Sequence, residues 1–494
     1  TTYCWLSILT LGCGGVESLG TRPAVSCDLV DYELDDTERS VSIGTFWTDT
    51  AEASALRLLE EAAERSRFVV TPTRRRDRLT QQLSLRDWLL NDSEPLPDLF
   101  QVNGGSDVLQ WPSRAANEEP QLCSLDRLDQ LHAWRDQFFP ATLAPLSCGD
   151  SLYALPIGVH RLNTLIYNPA LLTRLATLAS EQGLELRLPD DFSSPADFLA
   201  ALQTIEKVGQ NSPDDAVVPL AIGNQSGWPL TVLGFENLLV GRGVSTYESL
   251  WGTSTKEATL QPEALRHELE GWLGELRVLV TLSNLKERMA WQDAVHLVAS
   301  GGAAFTVMGD WAVAQLSAHE VDQIELRTFP GTEEAFVYTP DSFAVSRLTD
   351  SDGAGANYWL REVVANRDVQ LAFSARKYSI PALRDLEPTE LERLDARQRE
   401  TYRTFSACQT SPADCRLLLA VSGLGPAPGT NPCFDEIDRL LTRAVGASSA
   451  EDDAPGDEGS ESVCPLQEEP EAAGQQLIDI LVAVAREPFA ADCR

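Results

Sequence analysis

Hydrophobic and polar positions alternate in two different ways along residues 40–102. Short runs of β-compatible residues and longer runs of helical period predict three strands and two intervening helices, at residues 41–46, 51–65, 68–71, 76–90 and 99–102. Strands that alternate with helices form a mostly parallel sheet that is covered on both faces. The pattern therefore predicts an α/β unit in this part of the chain.

A second α/β unit is predicted to begin near Leu155. Further strands are expected at residues 158–167, 217–222, 303–308 and 336–345. Helices are expected from Pro169 and Pro195 and at residues 230–240, 262–282, 291–300, 357–366 and 475–486. Ser194 has an acid three residues later, which is typical of a helix N-cap. Trp291 shares a helix face with Val295 and Val298, which predicts that it is a core residue.

Composition excludes several classes of partner. The chain has 494 residues, 43% of them hydrophobic, and a formal net charge of −35. Its length allows two or three lobes with sizeable cores. The charge argues against binding to nucleic acid or to an anionic membrane surface, and it disfavours acidic substrates. The lysines are few, at Lys207, Lys256, Lys286 and Lys377.

Cysteine usage and the first residues predict export. Residues 4–15 (CWLSILTLGCGG) form an apolar run too short to span a membrane, and they indicate a lipoprotein-like signal remnant over residues 1–13 with Cys13 as the lipidation candidate. Residues 14–39 are polar and predict a tether. The other cysteines suggest disulfides, five of them after residue 400. No C-x-x-C pair occurs and the chain has only five histidines, so a structural zinc site is not expected. No cofactor is expected either. Residues 451–473 are acidic and rich in Pro, Gly and Ser, which predicts a mobile loop.

The segment at residues 303–311 (AAFTVMGDW) carries the clearest chemical signal. Its strand pattern stops at Gly309, and Asp310 and Trp311 follow at once. Ligands of open α/β sheets collect beyond the carboxyl ends of strands. A carboxylate accepts hydroxyl hydrogens and an indole covers the C–H face of a sugar ring. A turn aspartate beside a core tryptophan is the structural alternative.

Other polar and aromatic residues also lie where predicted strands end or connecting segments begin. They are Trp47, Gln101, Asn103, His160, Trp228, Asp341 and Lys377. Trp47 is followed by polar residues and is expected to be exposed. Structural explanations stay open for three of the others: Trp228 as a cap on a core, His160 as a packing residue of a hinge, and Lys377 as the partner of a nearby acid.

Five phrases occur in order along the chain: LFQVNGG, LYALPIGVHRLNTLIYN, AWQDAVHLVASGGAAFTVMGDW, PDSFAVS and ARKYSIPA. Together they resemble the landmarks of bacterial extracellular solute-binding proteins of sugar ABC importers, of the glucose-binding type. The resemblance implies a two-lobed periplasmic-binding-protein fold of α/β class (type II) with several hinge crossings. It places lobe one at residues 40–155 and 341–385, lobe two at 156–338 and 386–494, and the third crossing after Ala382.

The resemblance also implies binding roles. Trp47 and Trp228 would form aromatic walls, with Trp311 close to the sugar ring. Hydroxyl groups would be held by a polar set of side chains: Gln101, His160, Asp310 or Asp341, and Lys377, with Glu52 as a weaker candidate. Asn103 stands where glucose-binding relatives usually carry histidine. Asparagine still donates and accepts, but its reach is shorter.

The resulting hypothesis is a binding protein and not an enzyme. It would capture a neutral monosaccharide or short oligosaccharide, glucose or a related aldose, by lobe closure. It would work as a monomer with the transmembrane subunits of an ABC permease, in the periplasm or at the cell surface. Two alternatives stay open: an exported carbohydrate-active enzyme with Asp310 and Asp341 as its paired acids, and a sugar-sensing surface lipoprotein without a transport role.

Overall fold

The structure is a computed structural model that describes ten stretches of the chain. They are residues 39–65, 68–74, 97–109, 122–225, 228–251, 260–284, 288–346, 353–420, 432–446 and 470–484. Outside them lie the predicted helix at 76–90, residues 14–38 of the predicted tether, the predicted signal remnant with Cys13, and residues 451–469. Residue 39, the last of the predicted tether, begins the first strand.

Twelve strands occur in the described residues. They are β1 (Arg39–Thr45), β2 (Phe68–Arg74), β3 (Leu99–Asn103), β4 (Ser147–Cys148), β5 (Ser151–Leu152), β6 (Ala154–Arg161), β7 (Thr164–Tyr167), β8 (Val218–Ala221), β9 (Ala303–Val307), β10 (Glu325–Thr328), β11 (Ala335–Val345) and β12 (Arg416–Leu419).

The longer helices of the described stretches cover both sheets. They are α1 (Thr50–Glu64), α2 (Pro169–Glu181), α3 (Pro195–Asn211), α4 (Pro262–Thr281), α5 (Trp291–Ala299), α6 (Arg367–Lys377), α7 (Ala396–Thr410), α8 (Pro432–Ala444) and α9 (Pro470–Val484). Shorter α-helices lie at Ser106–Leu109, Asp126–His132, Trp134–Gln137, Pro140–Leu143, Trp228–Thr231, Val240–Arg242, Val244–Trp251, Ala318–Val321, Ala354–Tyr358 and Pro388–Leu391. Wider π-helical turns occupy Val232–Leu239 and Trp359–Val364, and 3₁₀ turns occupy Ala144–Leu146, Pro189–Asp191, Pro213–Asp215 and Asp310–Gln315.

The strands form two main sheets, each with its own hydrophobic core. The first sheet has the order β12-β11-β3-β1-β2, with β6 also paired to β11, and the second has the order β10-β7-β9-β8. We call the first sheet with its core the first lobe, and the second sheet with its core the second lobe. The first core gathers side chains from β1, β3, β6, α1 and α6, and the second gathers them from β7, β9, α2, α3, α4, α8 and α9.

The chain crosses between the lobes at β6–β7 and again at β10–β11. All eleven residues of β11 are buried, and the strand is antiparallel to both β3 and β6. Its first residues alternate between the cores, because Phe336 packs in the first core and Val337 in the second. Asn163 fixes the two crossings side by side, since its buried amide donates to the carbonyl of Ala335 at 2.9 Å and accepts from the backbone of Val337 at 3.1 Å.

Most predicted elements are confirmed in position, with shifts at their ends. The Ser194 N-cap is confirmed, because its side chain accepts from the backbone of Asp197. The single strand predicted at 158–167 is wrong: it is two strands, since the chain passes from one sheet to the other between them. The last predicted helix begins at Pro470, so residues 470–473 of the predicted loop are helical, and Ala473 packs in the second core.

The predicted lobe boundaries stay predictions, but the packing differs from them at one place. Residues 386–410 were assigned to the second lobe, whereas Leu394, Tyr402 and Phe405 pack in the first core. The chain reaches the second core within β12, which pairs in parallel with β11 and places Leu418 in that core. The third crossing observed here therefore lies about thirty residues after Ala382.

Disulfides are present, as the cysteine pattern predicted. Cys408 at the end of α7 is bonded to Cys415 just before β12. Cys123 and Cys148 each take part in a disulfide as well. Within the described stretches, no helix is both long enough and apolar enough to cross a membrane.

Candidate functional site

Three strand segments bring polar side chains together between the lobes. His160 lies near the end of β6, Asp341 lies in β11, and Asp310 follows β9 in the turn Asp310–Gln315. That turn belongs to the second lobe and contacts helices α1 and α6 of the first. Gly309 makes the turn possible, because a β-carbon there would overlap the ring of Trp311.

His160 is held between the two carboxylates. Its Nδ1 is 2.6 Å from an oxygen of Asp310, and its Nε2 is 3.2 Å from Oδ2 of Asp341. The second oxygen of Asp310 accepts from the backbone N–H of Arg161 at 3.0 Å. Burial opposes a charge on His160, but the carboxylates of Asp310 and Asp341 outweigh it and raise the pKa of the imidazole to about 9. At neutral pH the ring is therefore a cation that joins the lobes.

Lys377 continues this line of charges into the first lobe. Its ammonium lies 2.8 Å from Glu52 and 3.7 Å from Asp341, and 4.8 Å from the ring centroid of Trp47. Burial opposes its charge, yet Glu52 and Asp341 outweigh burial and raise the pKa of the lysine. Asp310, His160, Asp341, Lys377 and Glu52 thus alternate in charge; we call these five residues the charge chain.

Tryptophans of the second lobe form an aromatic cluster beside the charge chain. Trp311 lies edge-on to His160, with ring centroids 5.3 Å apart, and its ring is 6.2 Å from that of Trp228. Trp228 is also 6.0 Å from Trp291 and is 37% exposed. Trp291 is only half-buried, and it packs against the hydrophobic cluster between α5 and β9, so it lies at the edge of the core where it was predicted to be fully inside. We call the three rings the tryptophan cluster.

The other predicted site residues are placed differently. Trp47 is 0% exposed, so its predicted exposure is wrong: the rings of Phe343 and Phe373 pack against it at 5.8 and 5.3 Å. The amide oxygen of buried Gln101 accepts from Thr45 and from the backbone of Phe46, which ties β3 to the loop that carries Trp47.

Asn103 lies near the charge chain, but its backbone is hydrogen-bonded to the short helix that follows β3. It ends β3 directly opposite Asp341 and is half-buried. Its backbone N–H donates to Asp107 at 3.2 Å.

One contact between the lobes was missed by the sequence reasoning. The side chain of Gln292 in α5 donates to Asp49, just before α1, at 2.7 Å. Asp49 also acts on Glu52 and Lys377 electrostatically. No local pattern marks the pair, since its members are 243 residues apart.

Several buried polar atoms at the site lack a well-formed hydrogen bond. Among the described residues, Nε2 of His160, Oδ2 of Asp341 and Nε1 of Trp47 have no hydrogen-bond partner of acceptable geometry. Buried polar groups normally find a partner, so these atoms are candidates for hydrogen bonds to a bound molecule. His160 Nε2 and Asp341 Oδ2 also face each other as an ion pair at 3.2 Å. Asp310 differs, because both its oxygens are engaged. In the described stretches, no group of three or more His, Cys, Asp or Glu side chains is arranged so that it could hold a metal ion.

The chain has relatives among exported binding proteins. It is 27% identical over 264 residues to a probable sugar-binding periplasmic protein of Mesorhizobium japonicum, over 52% of this chain and 57% of the relative. It is 24% identical over 416 residues to an uncharacterised ABC transporter extracellular-binding protein of Pyrococcus horikoshii, over 82% and 83%. It is 27% identical over 289 residues to the xylose/arabinose-binding protein of Haloferax volcanii, over 54% and 57%.

These matches have limits in extent. The chain spans 57% of the length of the Mesorhizobium and Haloferax relatives, and no family profile matches it.

Solved structures extend the comparison to the whole fold. A chitin oligosaccharide binding protein superposes with a TM-score of 0.64 at 16% identity, over 91% of this chain and 99% of that chain. A bacterial solute receptor with an exclusive preference for β-D-galactopyranose superposes with a TM-score of 0.63 at 16% identity, over the same shares. Relatives and structural neighbours alike are binding proteins, not enzymes. The chain is therefore homologous to sugar-binding periplasmic proteins and ABC transporter extracellular-binding proteins, and it has the two-lobed α/β fold of periplasmic sugar-binding proteins.

Proposed function

We propose that this protein captures a neutral sugar between its lobes and delivers it to the membrane subunits of an ABC importer. The observation that carries the proposal is the meeting of the charge chain with the tryptophan cluster at the lobe interface. A sugar needs both, because its hydroxyl edge takes hydrogen bonds and its C–H face packs on a ring.

Asp341 is the stronger of the two candidate hydroxyl acceptors. Its Oδ2 has no hydrogen-bond partner of acceptable geometry in the described residues, whereas both oxygens of Asp310 are engaged. His160 Nε2 and Lys377 lie beside that oxygen as donors. Hydrogen bonds to charged groups are worth about 1.5–3 kcal/mol each. Asp341, His160 and Lys377 would therefore determine most of the orientation of the bound sugar.

The tryptophan cluster supplies the stacking surface. Trp311 stands next to His160, and Trp228 is the partly exposed outer ring. A ligand that touches Trp311 on the second lobe and Asp341 on β11 favours the closed arrangement by its differential contacts. Closure then signals occupancy to the permease.

The substrate class is a neutral mono- or short oligosaccharide, with glucose or a related aldose as the first choice. The charge chain carries three carboxylates against two cations, which disfavours acidic sugars. The named sugars of similar proteins differ: xylose and arabinose for one, galactopyranose and chitin oligosaccharide for others. Asn103, which stands where glucose-binding relatives usually carry histidine, is a position at which the preference among aldoses would change.

The proposed location of the protein is the periplasm or the cell surface. The relatives are named periplasmic or extracellular-binding proteins, which supports the same location here. Anchoring through Cys13 and a monomeric state remain part of the proposal.

Titration calorimetry with a panel of neutral aldoses, disaccharides and glucuronate tests the function. We expect one neutral sugar to bind, and Asp341→Asn to weaken it by roughly 10- to 100-fold through the loss of one charge-assisted hydrogen bond. Trp311→Ala should weaken it by about tenfold.

The matched control is Asp215→Asn, because Asp215 pairs with Arg174 on the surface of the second lobe. It should bind like the wild type. Failure of every neutral sugar to bind, or equal affinity of the Asp341→Asn and Asp215→Asn variants, would overturn the proposal.

A further inference from the structure

The first turn of α7 joins the two lobes away from the charge chain. Arg397 lies in this turn, and its guanidinium donates to the carbonyl of Ile324 at 2.7 Å and to that of Val321 at 3.4 Å. Ile324 packs in the second lobe, with β9 and α5. Helix α7 itself packs in the first core through Tyr402 and Phe405. The two hydrogen bonds of Arg397 therefore cross from one lobe to the other.

The same turn holds the segment that carries Lys377. The buried amide of Gln398 donates to the carbonyl of Ser374 at 2.7 Å and to that of Ser379 at 2.8 Å, on either side of Lys377. Its oxygen accepts from the backbone of Asp395 in a capping box. Both ends of the Gln398 side chain are engaged, so a movement of the α7 turn is transmitted to the backbone beside Lys377.

Tyr378 connects the lysine to the second lobe directly. It ends α6 with a φ of 61°, a left-handed conformation that is uncommon for a residue with a β-carbon. This conformation directs the ring into a cluster of second-lobe residues that includes Ala312, Val313 and Ile324. The tyrosine is 8% exposed. Lys377 and Tyr378 thus face different lobes from adjacent positions.

We infer that Arg397 and Gln398 act as a latch that couples lobe closure to the placement of Lys377. In the closed arrangement, Arg397 holds Val321 and Ile324 while Gln398 holds the Lys377 turn, so the ammonium stays between Glu52 and Asp341. Opening breaks the bonds of Arg397 and releases the α7 turn. Arg397 is a positioning residue, since it acts on Lys377 only indirectly, through Gln398 and Tyr378. The inference rests on the proposed function for its ligand but not for the latch itself.

Arg397→Ala in the full chain tests the latch through two measurements. Small-angle scattering of the sugar-free protein should give a larger radius of gyration than for the wild type. Stopped-flow release of the sugar identified by calorimetry should be about tenfold faster, because the closed state loses charge-assisted hydrogen bonds. Arg397→Lys, which keeps one donor group, should fall between the two.

Arg399→Ala is the matched control, because Arg399 lies in the same helix and donates to Leu394 within the first lobe. It should keep the wild-type radius and release rate. If Arg397→Ala lowers the melting temperature but matches Arg399→Ala in both measurements, the arginine is only structural and the latch is wrong. Scattering needs no sugar, so failure of the latch and failure of sugar binding are separate results.

Discussion

The two sides of the lobe interface differ in chemistry: one is charged and the other is mostly aromatic. The first-lobe side is charged and buried: Lys377 is 3% exposed and Asp341 is 4% exposed, with Trp47 fully covered behind them. The second-lobe side is neutral and aromatic apart from Asp310, and Trp228 is 37% exposed. The first-lobe side provides hydrogen bonds of defined direction, and the second-lobe side provides an apolar surface for stacking. A ligand with a polar edge and an apolar face fits only between them.

The difference has an energetic origin. A buried charge costs several kcal/mol in desolvation unless it is paired, so the charged side must be ordered before any ligand arrives. The alternation along the charge chain provides this order. An aromatic surface carries no such requirement and tolerates exposure. The charged side is therefore pre-organised for specificity.

Among the variants that test the difference between the two sides of the interface, Lys377→Met has the largest expected effect. It leaves Glu52 buried without its cation and Asp341 with His160 alone, which costs about 3–5 kcal/mol for a broken buried pair. Chemical denaturation should show that loss, and calorimetry should show no sugar binding. The matched control Lys207→Met changes an exposed lysine of α3 and should leave both unchanged.

A second variant separates folding from binding. Glu52→Gln combined with Lys377→Met removes both members of the pair and should recover much of the lost stability without recovering sugar binding. If the single variant is as stable as the wild type, the charged side is not pre-organised by pairing and the comparison fails.

The next test uses the pH dependence of stability. The pKa of His160 is raised from 6.5 to about 9 in the folded protein, so its contribution to stability is complete below pH 6.5 and is lost as the pH rises through about 9. The expected fall is on the order of 3 kcal/mol. Denaturation midpoints from pH 6 to pH 10 measure it.

His160→Gln should remove this fall, because glutamine keeps a hydrogen-bonding side chain without a titrating proton. His267→Gln, at an exposed position of α4, should keep the wild-type profile. A wild-type profile in His160→Gln would show that His160 does not join the lobes as a cation.

Much of this arrangement follows from sequence patterns, and the exceptions have physical reasons. The period of apolar residues locates β1, β3, β9 and β11, because burial acts on each element separately. Trp47 was expected to be exposed from its polar neighbours, but Phe343 and Phe373 come from segments about 300 residues away and cover it. The Asp49–Gln292 contact was not predicted for the same reason, since its two residues are 243 positions apart.

The family resemblance predicted which residues come together at one site, whereas the periodicity predicted only strands and helices. It grouped His160, Asp310, Asp341 and Lys377, which the structure brings to one place, although it does not test their binding roles. It did not locate the third crossing, because residues 386–410 carry a helical pattern that fits either lobe. Their packing depends on which core their apolar face meets, and that is a tertiary property.

The smallest test compares two tryptophans that share the Phe343 ring. Trp47 and Trp359 are both fully buried, both lie edge-on to Phe343, and both have an Nε1 without a hydrogen-bond partner in the described residues. Only Trp47 lies beside Lys377. If its indole N–H donates to the sugar, Trp47→Phe should weaken binding by about fivefold, the equivalent of one neutral hydrogen bond near 1 kcal/mol. Trp359→Phe should lower stability by a similar amount through lost packing but leave affinity unchanged. Equal affinities in the two variants would show that the charged side meets its ligand only through the charge chain.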